Sequence, residues 1–349
     1  MNQNRLYCTY FDHRYLAKGL AMIRSLHRHV PGAQVWVLCL SDRAKLILDE
    51  LAEPDVKTVA LADFERGDTA LAIAKADGRS TVEYYFTITP SLVGYVMNHA
   101  ADAAMVTYLD GDLWFSADPE PVYDEMDAAS VLIIPHRFAG SHRHLEKFGI
   151  YNVGWLTFRN DASGRACLEW WRDKNNEWCF DRLDEVQGRF CDQRYLDYFQ
   201  GKFAGVHVLR HHGANLAPWN IGASTITLRA GKVHADGDMA LFFHFHGIKR
   251  LAPRKFLTIH RTYGARLDEV SRRYLYTPYL TELLAIEAEI EKRFGTVEEH
   301  SIREQFGARD SVWRRFKTGF NILRSKLQGY VVTVPPPGDG AHKPGQTIN

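Results

Sequence analysis

Apolar positions in the first third of the chain alternate between two rhythms. Leu6 to Thr9 predicts a short strand. From Tyr15 to His29, Leu16, Leu20, Ile23 and Leu26 recur three and four residues apart, the spacing of one helix face, and Pro31-Gly32 stops the run. Val35 to Leu40 (Val-Trp-Val-Leu-Cys-Leu) is continuously apolar, as expected of a strand covered on both faces. Ser41 or Asp42 can cap a helix through Leu51, and Val56 to Leu61 supplies a third strand. Asp63 to Ala76 reads as helical. Thr89-Pro90 reads as the N-cap and first residue of a helix ending near His99, and Ala104 to Leu109 is another buried strand. This βαβα order predicts an α/β fold with a largely parallel sheet and helices on both faces. Ligands bind such sheets beyond the carboxyl ends of the strands, and Asp110 stands at one of those ends.

The second half is less regular. Ser130 to Ile134 and Val153 to Phe158 read as strands, and Asp161 to Phe180 as a helix carrying Trp170, Trp171 and Trp178. Strand-like pieces recur near Val206, Thr225 and Leu241. No repeat and no linker precedes residue 265, so residues 1–264 read as one domain. Residues 265–330 read as a C-terminal helical extension, with a helix from about Leu267 to Phe294. Within it, residues 312–327 place Trp313, Phe316, Phe320, Leu323 and Leu327 at helical spacing among basic residues. That pattern suits a helix lying on an anionic membrane surface, or equally one packed on protein. Residues 331–349, in which Pro335-Pro336-Pro337 opens the polar part, read as a disordered tail.

Composition narrows the function classes. A net charge of +1 gives no general attraction to nucleic acid. The 5 cysteines form no CxxC pair and include Cys8 and Cys39 inside apolar runs, which fits a reducing compartment. Without an apolar signal core or an 18-residue apolar run, the expected location is cytoplasmic, with peripheral contact at the inner membrane face as the alternative the basic segment raises.

Two clusters carry chemistry. Tyr108-Leu109-Asp110-Gly111-Asp112-Leu113-Trp114-Phe115 sets two carboxylates two residues apart between apolar runs. Burying both is costly unless a cation or hydrogen bonds compensate, and a hard divalent ion would do so; a solvated turn is the plain alternative. Gly111 would let the backbone turn closely. Leu241 to Arg250 sets His244 and His246 on one side of a strand, followed by Gly247, Lys249 and Arg250, with imidazoles suited to manganese and cations suited to phosphate. The alternative is a packed histidine and an exposed lysine.

Together these residues resemble the GT-A nucleotide-sugar transferases (a Rossmann-like, mostly parallel sheet with flanking helices), most closely glycosyltransferase family 8. The resemblance runs from about Leu6 to Arg250. It rests on Asp110-Gly111-Asp112 as the DxD motif, Tyr151-Asn152-Val153-Gly154 as the Asn-x-Gly motif, Cys191-Asp192-Gln193 as the Asp-Gln motif, and His244-Phe245-His246-Gly247 as the His-x-x-Gly segment. Lys249 departs from the family pattern by one position.

The resemblance implies a UDP-sugar donor, Mn2+ or Mg2+ held by Asp110, Asp112 and His244, and transfer of a hexose to a saccharide or lipid-linked saccharide with retention. It implies Thr9 and Tyr10 at the base, Asp110 and Gly111 along the nucleotide, Asn152, Gly154, Gly247 and Lys249 around the donor, and Asp192 and Gln193 at the sugar. Arg79 is a candidate for phosphate or base, or a surface arginine. Asn215, Trp219 and Asn220 are candidates for the acceptor side, with ordinary packing the alternative for Trp219. Among other functions, a sugar nucleotidyltransferase lacks its glycine-rich loop, since Thr9 to Gly19 holds a single glycine. A carbohydrate-binding scaffold would not need Asp110, Asp112, Asp192 and His244 intact. A metallohydrolase using Asp110, Asp112, His211, His212, His244 and His246 lacks a recognisable ligand spacing.

Overall fold

In the computed structural model of the chain, residues 4–100, 102–296 and 324–336 are described. A seven-stranded sheet forms the centre, in the order β3-β2-β1-β4-β7-β6-β8. Its strands are β1 (Arg5–Phe11), β2 (Gln34–Cys39), β3 (Val56–Ala60), β4 (Met105–Leu109), β6 (Val131–Pro135), β7 (Tyr151–Arg159) and β8 (Val206–Val208), while β5 (Leu113–Phe115) lies outside it. All run parallel except β7, which is antiparallel to both neighbours.

Alternation along each strand explains why two cores form. Tyr7, Val35, Val37 and Cys39 point into one, with α1 (Leu16–His29) and α2 (Asp42–Leu51). Leu6, Cys8, Trp36 and Leu38 point into the other. There they meet α4 (Thr69–Ala76), α5 (Thr81–His99) and α7 (Ala162–Glu177), with α3 (Leu61–Glu65) leading into α4. The chain steps outward from β1 to β3 and returns to β4 on the opposite side of β1. The crevice for a ligand therefore opens at the carboxyl ends of β1 and β4. On the far side, α6 (Glu120–Met126) precedes β6, and α8 (Phe199–Lys202) precedes β8.

Smaller sheets complete the molecule. β9 (Ile226–Arg229), β10 (Lys232–Ala235) and β11 (Asp238–Met239) form a meander, and β12 (Phe242–His244) pairs antiparallel with β5. β13 (Lys249–Ala252), β14 (Lys255–Leu257) and β15 (Val331–Thr333) form a third sheet. After α9 (Glu269–Ser271), α10 (Thr277–Phe294) lies against α1. Arg28 pairs with Glu282 at 2.6 Å, and Arg24 with Glu289 at 2.7 Å. Leu280, Leu283, Ile286 and Ile290 share the core of Leu20 and Ile23, so α10 helps to complete the main core.

Several expectations need correction. Thr89-Pro90 lies inside α5, not at its start. The true N-cap is Ser80, whose hydroxyl accepts from the Glu83 N–H while the Glu83 carboxylate accepts from the Ser80 N–H. The single helix expected over Asp63 to Ala76 is two, broken at Gly67 (φ +80°), with Asp68 capping α4. The tail does not begin at residue 331: Val332 and Val334 are buried, and Arg254 donates to the Val334 carbonyl. Residues 312–323 of the basic segment and 337–349 of the tail lie outside the described residues. No helix among the described residues is long and apolar enough to cross a membrane.

Candidate active site

Asp110-Gly111-Asp112 leaves the end of β4 and is stitched in place by backbone. The Asp110 N–H donates to the Gly154 carbonyl (3.0 Å), and the Phe245 N–H to the Asp112 carbonyl (2.9 Å). Because β12 pairs with β5 in the register His244 to Leu113, the imidazole of His244 is carried to the loop. Its Nε2 lies 3.0 Å from Asp112 Oδ1 and 3.6 Å from Asp110 Oδ2. His246 joins from one strand period further on, and ligand atoms of Asp112, His244 and His246 all fall within 4.8 Å of one another. His246 was the weaker sequence candidate, yet it closes this triangle.

The electrostatics favour positive charge between the two carboxylates. Burial works against charge on His244, but Asp112 and Asp110 outweigh it and hold its pKa above the ordinary value. Burial also raises Asp112, and the opposing pull of His244 depresses it well below the carboxylate range. Asp110 is raised by burial, partly offset by His244 and reinforced by Asp112. Carboxylates and imidazole suit Mn2+ or a similar hard divalent ion, which would take the place of the imidazolium proton. The residues present therefore fit such an ion.

Two tyrosines hold the far oxygens of these carboxylates. Tyr15 donates to Asp112 Oδ2 at 2.7 Å, and Tyr108 to Asp110 Oδ1 at 2.8 Å. Across the crevice, Asp192 is 5% exposed and begins the short helix Gln193–Tyr198. Thr89 donates to its Oδ2 at 3.3 Å, and Tyr10 meets Thr89 at 3.1 Å. Burial, then repulsion from Asp110, pushes the Asp192 pKa up to about 7. Asp192 is thus able to donate or accept a hydrogen bond near neutral pH.

Other candidates sort themselves by accessibility. Asn152 accepts from the Gly154 N–H (3.0 Å) and from Asn215 (3.1 Å), so its carbonyl is committed to the protein. Gln193 is half-buried, donates to the Phe148 carbonyl at 2.9 Å and packs on Gly149. Thr9 is fully enclosed, and only Tyr10 of that pair reaches the crevice. Lys249 is half-buried on β13, with its pKa lowered by desolvation. Gly247 sits at φ +70°, where a Cβ would fall 2.6 Å from Ile259, so glycine is required. At Gly111 a Cβ would meet Tyr15 and Phe11 only at ordinary contact distance, so close approach does not demand glycine there.

Four expectations fail on burial. Arg79 spends its guanidinium on Asp77, Thr87 and the Asn175 and Asn176 carbonyls, and its side chain is 0% exposed. It pins the end of α7 instead of meeting a phosphate. Asn215 and Asn220 are buried scaffold: Asn220 accepts from the Ala217 N–H and donates to the carbonyls of His136 and Asn215. Trp219 is wedged edge-on against His136, His244, His246 and Tyr263 and presents no open face. None of the three acceptor-side candidates offers a surface to a sugar.

Gly154 makes a sharp prediction. A Cβ there would lie 2.6 Å from Asn152 Oδ1 and 2.8 Å from His244 Nδ1, both on buried side chains. Gly154→Ala should therefore lower stability by about 1–3 kcal/mol in denaturant unfolding and displace His244. Wild-type stability in that variant would disprove the packing argument.

No family model matches the chain. Two proteins of Bacillus subtilis (strain 168), both described as uncharacterized, are similar in sequence. YfnF is 31% identical over 279 residues, 78% of this chain and 90% of YfnF. YfnD is 28% identical over 302 residues, 85% of this chain and 96% of YfnD. Among solved structures, an active-site mutant of LgtC matches with a TM-score of 0.50 at 15% identity, covering 80% of this chain and 95% of that one. LgtC is also described as a galactosyltransferase in complex with donor and acceptor sugar analogs (TM-score 0.48, 16% identity, 80% and 95% covered). The chain shares the GT-A fold of the LgtC mutant structure: a mixed α/β architecture around a mostly parallel sheet.

Proposed function

The chain belongs to the family of Bacillus subtilis YfnF, and from the site built on its GT-A fold we propose that it is a glycosyltransferase. It moves a hexose from a nucleotide-diphosphate sugar, UDP-sugar by preference, to a hydroxyl of a saccharide or lipid-linked saccharide. The reading places it with glycosyltransferase family 8 and expects retention at the anomeric carbon. The observation that carries it is the convergence of Asp110, Asp112 and His244 at the carboxyl end of β4, with Asp192 opposite.

In this reading Asp110, Asp112 and His244 hold Mn2+ or Mg2+, with His246 close to Asp112 and His244. Bound there, the ion would neutralise the diphosphate as it departs. Tyr10 lies beside the nucleotide, and Asp192 orients the donor sugar through its hydroxyls. The acceptor hydroxyl forms the new bond to the anomeric carbon as the bond to the diphosphate breaks. The leaving group keeps the electron pair, and the acceptor proton passes to it. A scaffold protein would not need Asp110 and Asp112 gathered at one imidazole with Asp192 opposite.

The test is a thermal-shift screen of UDP and UDP-sugars, with and without Mn2+. A ligand present at about 100 times its Kd stabilises the folded state by about 2.7 kcal/mol, which is a readable rise in Tm. We expect the rise with UDP to require the metal. No shift with any nucleotide sugar in the presence of Mn2+ would remove the donor-site reading.

A further inference from the structure

Each carboxylate of the Asp110-Gly111-Asp112 loop has two oxygens, and the two are treated differently. On Asp112, Oδ1 faces His244 Nε2 at 3.0 Å while Oδ2 accepts from Tyr15 at 2.7 Å. On Asp110, Oδ2 faces the same nitrogen at 3.6 Å while Oδ1 accepts from Tyr108 at 2.8 Å. A free carboxylate rotates about its last bond and presents either oxygen. Here one hydroxyl per carboxylate takes the outward oxygen and leaves the inward one.

The two hydroxyls come from different places. Tyr108 lies on β4 two residues before Asp110, which leaves the end of that strand, and its hydroxyl reaches the carboxylate directly. Tyr15 lies at the head of α1, 97 residues from its partner. The Tyr15 ring is fixed on two further sides. Lys18 Nζ sits 4.0 Å above its centroid, and its edge lies along Gly111. The ring therefore has little freedom to move off Asp112.

We propose that Tyr15 and Tyr108 are positioning residues that fix which oxygen of Asp112 and of Asp110 is offered to the cation. The inference rests on the metal-site reading above. Hydrogen-bond partners behind metal ligands typically contribute 10- to 100-fold in affinity, because without them the ligand must be ordered when the ion arrives. Tyr15 acts on the shorter contact to His244, so its removal should cost more than that of Tyr108.

The experiment is titration of the full-length protein with Mn2+, alone and with saturating UDP, followed by electron paramagnetic resonance of free Mn2+. Tyr15→Phe keeps the ring and deletes the hydroxyl, and should weaken Mn2+ binding by about 10- to 100-fold. Tyr108→Phe should weaken it less. Tyr123→Phe, which deletes a buried hydroxyl bonded to Thr107, should leave Mn2+ binding as in the wild type. In an Asp112→Asn background, Tyr15→Phe should add no further loss, since the oxygen it governs is no longer a charged ligand. Circular dichroism confirms folding of each variant. Wild-type protein that takes up no Mn2+ overturns the metal-site reading and this inference with it. Wild-type protein that binds Mn2+, with both tyrosine variants binding equally well, overturns this inference alone.

Discussion

Asp112→Asn should lower metal-dependent release of UDP from a UDP-sugar by about 10³-fold, with the fold retained. Asparagine keeps the shape of the side chain and can still accept from Tyr15, so the loss follows from charge. The stability of the variant should depend on pH in a defined sense. His244 has a folded pKa raised by Asp112 and Asp110, so its contribution is present below about pH 6.5 and fades as pH rises through the folded value. Asp112 has a depressed folded pKa, so its contribution is present above about pH 4 and is lost in acid. The gap in Tm between wild type and variant should therefore be widest between about pH 4 and 6.5 and should narrow as pH rises through the folded value of His244. Measuring UDP release and Tm across that range checks both parts. Turnover above a tenth of wild type would rule out Asp112 as a metal ligand.

How much of this was legible in the residues depends on the range of the contact. Val35 to Leu40 announced a doubly covered strand because its two faces meet two different cores. Asp110 was placed at a strand end by the same local rhythm. Pairing Asp110 with His244 required knowing that β12 lies beside β5, and no local pattern encodes that; a family resemblance supplied it. Tyr108 was visible in principle, since it stands two residues before its partner. Tyr15 carried no signal, because its partner is nearly a hundred positions away. The failures share a cause. Arg79, Asn215, Trp219 and Asn220 are residue types that bind sugars and phosphates, but type does not reveal burial. Each is enclosed by elements distant in sequence. Pro90 misled for the opposite reason: its local preference for a helix start was outcompeted by the capping box at Ser80 and by the apolar face that continues through it.

Asp192→Asn should stabilise the metal-free protein at pH 8, and the sign follows from the folded pKa of about 7. The unfolded chain releases this proton near pH 4, so between about pH 4 and 7 the folded state holds more proton than the unfolded one. Stability must then fall as pH rises across that window and level off above it. The whole fall is on the order of 4 kcal/mol for a carboxyl moved that far. Asparagine carries no charge at any pH, so the variant should lack this component and exceed wild type most clearly at pH 8. Asp110 and His244, whose folded pKa values are also raised, slope in the same direction, so the quantity to measure is the difference between the two proteins in urea unfolding from pH 4 to 8. Mn2+ with UDP should shrink that difference, because a cation beside Asp110 relieves the repulsion on Asp192. The same substitution should reduce sugar transfer, because an amide cannot meet a sugar hydroxyl as a carboxylate does. A residue that costs stability while serving the reaction is expected where a site is built to be completed by its ligand. A pH-independent difference between the two proteins would mean that Asp192 is ionised at ordinary pH and that Asp110 does not act on it.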